Sequence, residues 1–436
     1  MERTGTSTRG GWFDGVGFGM FVHWDPASQG GLEVSWPMVG GVFSLPRCQA
    51  VAPEEYWSYA DTFDPREWDP QDLARRARAA GMRYVVFTTR HHAGYAMWDT
   101  AYGDHKITAS PYGRDLLAEL VVALRAEGLR VGFYYSLSDW HHADYPPFTA
   151  EQLPYRFDRM TVPTDEQAER YRAYLMGQLR ELLTGYGPID LLWFDGQWER
   201  PGPWWRPADI AELARSLHPD ILINDRLPGH GDFATPEQFV PPRPLEGRWE
   251  SCQTINGSWG WNTDDPDHKS PLQLVTTLCE TVGRGGNLLL NISPRGDGTL
   301  PPEQVERLDA IATWMGPHHT AIHDVDPGLE PWQFYGPSTR SGATVHLFLV
   351  LRPTEGVTVR GMPIRRVRQV RVLGTDRSLA FHTRTGVLDQ FFDDPEGEVF
   401  IEVPEEVLDP LVTVLSVDLA DAPIDRAVLG RWEPSP

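Results

Sequence analysis

Cysteine is scarce in this chain: Cys48, Cys252 and Cys279 are the only three among 436 residues. They are odd in number, widely spaced and free of any C-x-x-C pair. That excludes a disulfide framework and paired-thiol redox chemistry, and leaves buried free thiols as the expectation. Long apolar runs are also missing. The stretch from Met1 to Gly11 is polar, and no apolar segment reaches membrane-spanning length, so neither a secretory signal nor a membrane span is read and a cytoplasmic location is expected. Basic charge is in short supply, with 39 Lys and Arg against 61 Asp and Glu, a formal net charge of −22. A surface of that sign repels phosphate backbones and anionic lipid, so nucleic acid and membranes are not expected partners. No G-x-G-x-x-G follows a strand and no Walker motif occurs; Gly283-Arg284-Gly285-Gly286 lacks the strand-turn-helix context. A G-x-S-x-G elbow is absent as well, which removes the usual serine nucleophile.

Aromatic rings are abundant: 17 Trp, 14 Tyr and 18 Phe, many beside Gly, Pro, His or Asp instead of in helical apolar stripes. Most pack a core, but rings so placed also suit the C–H face of a pyranose.

From about residue 18 to 316, short apolar runs alternate with amphipathic ones. The runs Phe18 to His23, Arg83 to Thr89, Arg130 to Tyr135, Ile189 to Phe194, Ile221 to Asn224, Arg248 to Gln253 and Asn287 to Ile292 are too evenly apolar for half-exposed strands and suit strands buried on both faces. Between them lie helices with readable ends. Asp69-Pro70 supplies a cap and a first-turn proline, Leu73, Ala74, Ala77 and Ala80 a buried stripe, and Gly81 a stop. Asp115 to Glu127, Glu166 to Leu183, Pro207 to Leu217, Pro271 to Val282 after Ser270, and Pro302 to Met315 read the same way. Strands alternating with helices predict an α/β fold, a (β/α)8-like and irregular barrel over residues 1–325. After about residue 325 only β-like runs remain, at Ala343 to Leu351, Val357 to Val359, Arg366 to Leu373, Glu398 to Val403 and Leu411 to Val417. They predict a small antiparallel β-sandwich over residues 326–436, with the acidic Asp393 to Glu398 stretch as a loop.

A barrel of parallel strands builds its active site where the strands end. Polar residues terminate these runs in series: His23; His91 and His92; Tyr134, Tyr135 and Asp139; Asp195; Arg226. Any one alone would more readily be a satisfied structural group, but the series is coherent. Asp195 follows the apolar Leu191 to Phe194 and precedes Gly196, so a carboxylate projects from a buried strand. Such a group can attack an anomeric carbon if a second carboxyl, kept protonated roughly 5 to 5.5 Å away, serves the leaving oxygen. Candidates for the second group are Glu237, on a Pro/Gly-rich loop that would close as a lid, Glu250, which could instead hydrogen-bond an Arg or backbone group near the site, and the weaker Asp232. The adjacent histidine pairs His91-His92, His141-His142 and His318-His319 argue against metal, because consecutive residues of an extended chain point opposite ways. No metal and no cofactor are expected.

The ordered segments GMFVHWD, TTRHHAGYAMWDT, GFYYSLSDWH, LLWFDG, INDR, DFATPEQ, WES…SWGW and GRGGNLLLNISPRGDGTL resemble glycoside hydrolase family 29, the α-L-fucosidases, over most of residues 11 to 325. The resemblance implies a barrel followed by a β-sandwich, and hydrolysis of terminal α-L-fucose from a fucosylated glycan or glycoside with retention, through a glycosyl-aspartate. It makes Asp195 the nucleophile, Glu237 the acid/base, and His23, His91, His92, Tyr134, Trp193 and Arg226 the sugar contacts. Trp36 and Glu250 join the expected substrate-binding set. Two departures lie near the expected pocket: Asp25 stands in HWD where the family usually has Gly, and Ala93 follows RHH where KHHDG is commoner. The segment GLEVSWPMVGG also differs from the usual pattern, so Glu33 and Trp36 are expected to reshape the site. An exo-glycosidase for a related L-sugar such as an α-L-galactoside, a catalytically silent sugar-binding barrel, and a metal-dependent hydrolase are the competing readings; a homo-oligomer is compatible with each.

Overall fold

The computed structural model describes residues 9–39, 50–145 and 161–420; Cys48 lies outside them. Seven parallel strands form one curled sheet: β1 (Phe18–Val22), β2 (Tyr84–Arg90), β3 (Arg130–Ser136), β4 (Leu191–Asp195), β5 (Leu222–Ile223), β6 (Glu250–Thr254) and β7 (Asn287–Ile292), in the order β5-β4-β3-β2-β1-β7-β6. The helices are α1 (Pro53–Ser58), α2 (Pro70–Ala79), α3 (Leu116–Ala126), α4 (Asp165–Gly185), α5 (Pro207–Leu217), α6 (Pro271–Gly283) and α7 (Pro302–His318). Their starts follow the caps read in the sequence: the Asp69 and Asp115 carboxylates accept from Asp72 and Ala118 N–H, and Ser270 forms a reciprocal capping box with Gln273. The one-and-a-half-turn α1 carries no cap signal beyond Pro53 and was not foreseen.

The pleat sorts each strand into two cores. Phe18, Met20 and Val22 of β1, Leu192 and Phe194 of β4, and Leu288 and Leu290 of β7 pack outward against the helices. Phe21, Tyr134, Leu191, Trp193, Cys252 and Leu289 fill the barrel interior. Because Leu191 and Trp193 face inward, Asp195 does too.

Between β5 and β6 no strand intervenes among the described residues, and the connecting segment takes that place. Asp232 N–H donates to Ile223 O and Asp225 N–H to Phe233 O on one side; Ala234 N–H donates to Arg248 O, Glu250 N–H to Ala234 O and Gln238 N–H to Cys252 O on the other. Residues 232–238 thus stitch the opening shut. The expectation that Glu237 rides on a lid is corrected: the backbone on either side of it is tied to β6, including Cys252 N–H to Pro236 O at 3.2 Å.

Beyond the barrel, β8 (Asp326–Pro327), β9 (Ser338–Ser341), β10 (Thr344–Leu349), β12 (Val367–Val372) and β15 (Thr413–Leu419) form one antiparallel sheet; β11 (Gly356–Pro363), β13 (Phe381–Arg384) and β14 (Glu396–Glu402) form another. Val345, Leu347, Val359, Val370, Val399, Ile401 and Leu415 close a core between them. The acidic stretch read as a loop enters β14 at Glu396. Trp314 of α7 ties this unit to the barrel, its indole N–H donating to Val412 O at 2.8 Å.

Candidate active site

A cavity of about 540 Å³ opens at the C-terminal ends of the barrel strands, lined by Phe21, His23, Trp36, His91, Tyr134, Trp193, Asp195, Trp198, Arg226, Glu237 and Trp259. Eight of the ten residues expected from the sequence therefore meet in one place. Glu250 and His92 do not line it.

Asp195 ends β4, and Gly196 turns the chain away with φ 76°, where an added Cβ would meet the Ser138 Oγ at 2.5 Å. One carboxylate oxygen accepts from the Tyr134 hydroxyl at 2.8 Å and the other from Arg226 Nη1 at 2.6 Å. Burial alone would push this carboxyl up; the guanidinium, the His92 ring and the Tyr134 hydroxyl outweigh burial and hold it below the usual carboxylate range. Asp195 is therefore ionised, fixed in direction and shielded from bulk water.

Arg226 reaches two carboxylates at once. Its other terminal nitrogen donates to Glu237 at 2.6 Å, its Nε donates to the Thr235 hydroxyl at 3.3 Å, and its plane covers the Trp193 ring at 4.4 Å. Glu237 belongs to this connecting segment, so the stitch between β5 and β6 brings the second carboxyl beside the first.

Three imidazoles surround the pair. Burial lowers His23 to about 3, His92 to about 4 and His91 well below its ordinary value, so all three are neutral near pH 7. The argument that consecutive histidines diverge is corrected, because β2 ends at Arg90 and a turn closed by Gly94 N–H to His91 O bends the chain. His91, His92 and Asp195 place ligand-type atoms within 4.8 Å of one another. They do not suit a divalent ion: both Asp195 oxygens are already used, and a guanidinium sits 2.6 Å away. His92 stands behind the wall, stacked on Trp140, with Nε2 3.7 Å from Asp195.

Glu250 is corrected as a substrate contact and as an acid/base candidate. It is fully buried inside the barrel, where it accepts from the Tyr84 hydroxyl and from the Trp193 indole N–H at 3.1 Å, and so props the pocket floor. Its predicted partner, an Arg or backbone group, gives way to these two side chains. Tyr135 and Asp139 turn outward, Tyr135 to Gln178 of α4 and Asp139 to Arg90 and Tyr174. Missed in turn were Phe21, Trp198 and Trp259. Phe21 is signalled only by strand parity with His23; Trp198 sits two residues past the Asp195 turn, and Trp259 in the SWGW segment, whose backbone N–H donates to Glu33 at 2.6 Å.

A model of the α-L-fucosidase family matches residues 2–319. Tissue α-L-fucosidase of Homo sapiens is 30% identical over 420 residues, covering 90% of this chain and 85% of the relative. Among solved structures, α-L-fucosidase isoenzyme 1 from Paenibacillus thiaminolyticus superposes with a TM-score of 0.83 at 34% identity, covering 95% of this chain and 99% of that one. An α-L-fucosidase of Bacteroides thetaiotaomicron, trapped as a covalent intermediate with 2-fluoro-fucosyl fluoride, superposes at 0.78 with 25% identity over 94% of this chain and 95% of that one.

Proposed function

The chain belongs to the α-L-fucosidase family and is a glycoside hydrolase acting on fucosylated substrates, and from that premise we propose that Asp195 is its nucleophile and Glu237 its acid/base in a retaining mechanism. The observation that carries this reading is the single guanidinium of Arg226 held by both carboxylates at the mouth of an aromatic cavity. Double displacement requires two carboxyl groups beside one scissile bond, and the shared guanidinium sets Asp195 and Glu237 side by side. The trapped intermediate of the Bacteroides relative supports the same course.

Asp195, ionised and oriented by Tyr134, attacks the anomeric carbon from one face while Glu237 gives a proton to the departing glycosidic oxygen. The glycosyl-aspartate forms and the aglycone leaves. Glu237 then takes a proton from water, which attacks the same carbon, releases the sugar and restores the Asp195 carboxylate. The oxocarbenium-like transition state gains positive charge beside Asp195, so a fixed, water-poor carboxylate stabilises it more than the neutral ground state. The neutral His23 and His91 and the Tyr134 hydroxyl are suited to the ring hydroxyls, and Phe21, Trp193 and Trp259 to the apolar edge.

Hydrolysis of 4-nitrophenyl α-L-fucoside followed by proton NMR tests the reading. Release of α-L-fucose as the first anomer is expected; β-L-fucose appearing first would remove the covalent step.

A further inference from the structure

Asp25, one of the two departures from the family pattern, is not in the cavity, yet it is buried to 3% exposure and fully engaged. Its Oδ1 accepts from Ala27 N–H at 2.9 Å, and its Oδ2 accepts from the Tyr56 hydroxyl of α1 at 2.6 Å. That hydroxyl in turn accepts from Ser35 N–H at 2.6 Å. Ser35 is wholly buried and stands at φ 58°, ψ −43°, a conformation that a residue with a Cβ rarely adopts. The strained backbone places its hydroxyl 2.6 Å from His91 Nδ1, and the next residue, Trp36, on the pocket wall.

The hydrogen-bond inventory decides which way this last contact runs. Ser35 Oγ already accepts from Ala93 N–H at 2.8 Å. Among the described residues its own proton has one acceptor, His91 Nδ1; the reverse arrangement would leave a buried hydroxyl proton unpaired. His91 then carries its proton on Nε2. His23 is set the other way: Asn291 donates through its amide N–H to Trp259 O at 2.7 Å, so its Oδ1 faces His23 Nδ1 at 2.6 Å and requires the proton there. His23 thus offers Nε2 as an acceptor.

We propose that Asp25, Tyr56 and Ser35 are positioning residues that hold His91 as an N–H donor toward the sugar, opposite in polarity to His23. Asp25 and Tyr56 form a relay that holds the Ser35 backbone where its hydroxyl, its oxygen occupied by Ala93 N–H, donates to His91 Nδ1, and the role of one imidazole nitrogen is set by the partner of the other. The inference about the sugar rests on the fucosidase reading of the cavity; the tautomer itself does not. Its chemical consequence is that the hydroxyl facing His91 is recognised by its lone pairs and the one facing His23 by its proton. Fluorine in place of a hydroxyl keeps an acceptor and loses the donor, so the two positions respond differently.

Long-range proton–nitrogen correlation NMR on the protein labelled with ¹⁵N-histidine, assigned with His91→Gln, reads the tautomer without any turnover. A proton on Nε2 of His91 and on Nδ1 of His23 is expected; a proton on Nδ1 of His91 overturns the proposal. Tyr56→Phe and Ser35→Ala are then expected to shift His91 toward the Nδ1 form and to raise KM for 4-nitrophenyl α-L-fucoside about tenfold, with a smaller change in kcat. The double variant Asp25→Asn/Tyr56→Phe should be no worse than Tyr56→Phe alone. Variants that keep the wild-type tautomer and KM would refute the relay while leaving the fucosidase reading intact. Loss of all fucoside turnover in the unsubstituted protein, with the tautomers as expected, would sink that reading and not the relay.

Discussion

Two arcs of the same barrel hold the two proposed catalytic carboxyls by different means. From β7 through β1, β2 and β3 to β4, neighbouring strands share parallel ladders, broken by one register shift between Thr88 and Arg90 of β2, and Asp195 is the last rung, paired with Ser136. Between β5 and β6 there is no such ladder; isolated bridges, Asn224 with Phe233, Ala234 with Trp249 and Glu237 with Cys252, do the joining. The regular arc leaves Asp195 buried, whereas the Glu237 side chain remains 40% exposed. A nucleophile needs a fixed, shielded carboxylate, and an acid/base needs access to water and to a leaving group. The difference in backbone order between the arcs matches that division of labour.

The largest expected effect falls on the regular arc. Asp195→Gly should lower kcat/KM for 4-nitrophenyl α-L-fucoside on the order of 10⁴-fold or more, read with folding checked by circular dichroism. Activity within tenfold of wild type would break the comparison. On the irregular arc, Glu237→Gln should cost about 10²- to 10⁴-fold on an alkyl fucoside with a poor leaving group, and much less on the nitrophenyl fucoside, whose oxygen needs little protonation. Equal losses on both substrates would mean that Glu237 serves binding and not proton transfer.

A smaller effect tests what joins the arcs. Glu250 of β6 is hydrogen-bonded to Tyr84 of β2 and Trp193 of β4 across the interior, and burial raises its carboxyl from 4.5 to about 7. The folded chain therefore holds this proton more tightly than the unfolded one between those values. The stabilisation is present below about pH 4.5 and is lost as pH rises toward 7, with an upper bound of about 3 kcal/mol. Glu250→Gln should flatten that slope in thermal unfolding measured from pH 4.5 to 7. An unchanged slope would assign the pH dependence to other groups.

The same contrast explains what could be read in advance. β7 runs from Asn287 to Ile292 as the apolar run predicted, and Asp195 declared itself through Leu191 to Phe194 before it and Gly196 after it. These are signals of local burial, which neighbouring residues carry. Glu237 was one of three candidate carboxyls in the sequence and was singled out by the resemblance, but its setting was misread, because nothing within DFATPEQ states that this segment will pair with strands on both sides. His92 and Glu250 were placed in the pocket for a similar reason: residue type and strand position say which face a side chain takes, not how deep in the barrel it stops. Trp198 comes to the cavity on a single 3-10 turn, Gln197–Glu199, and Trp259 on a loop, both too short or irregular for a period to be read. In the β-sandwich, the short strands β8, β9 and β13 escaped notice, since two to four residues cannot display an alternation.

At the seam of the two arcs, the Asn224 side chain accepts from Phe194 N–H at 2.8 Å and donates to Phe194 O at 2.9 Å. One amide group thereby reproduces both halves of a backbone rung. A ladder completed by a side chain imposes no register on the residues that follow, so the chain after Asn224 is free to change length without unzipping β4. Insertions and deletions past Arg226, between Leu227 and Gly231, should therefore be absorbed more readily than any in the connections of the regular arc, because Arg226 and its bonds to Asp195 and Glu237 lie before them.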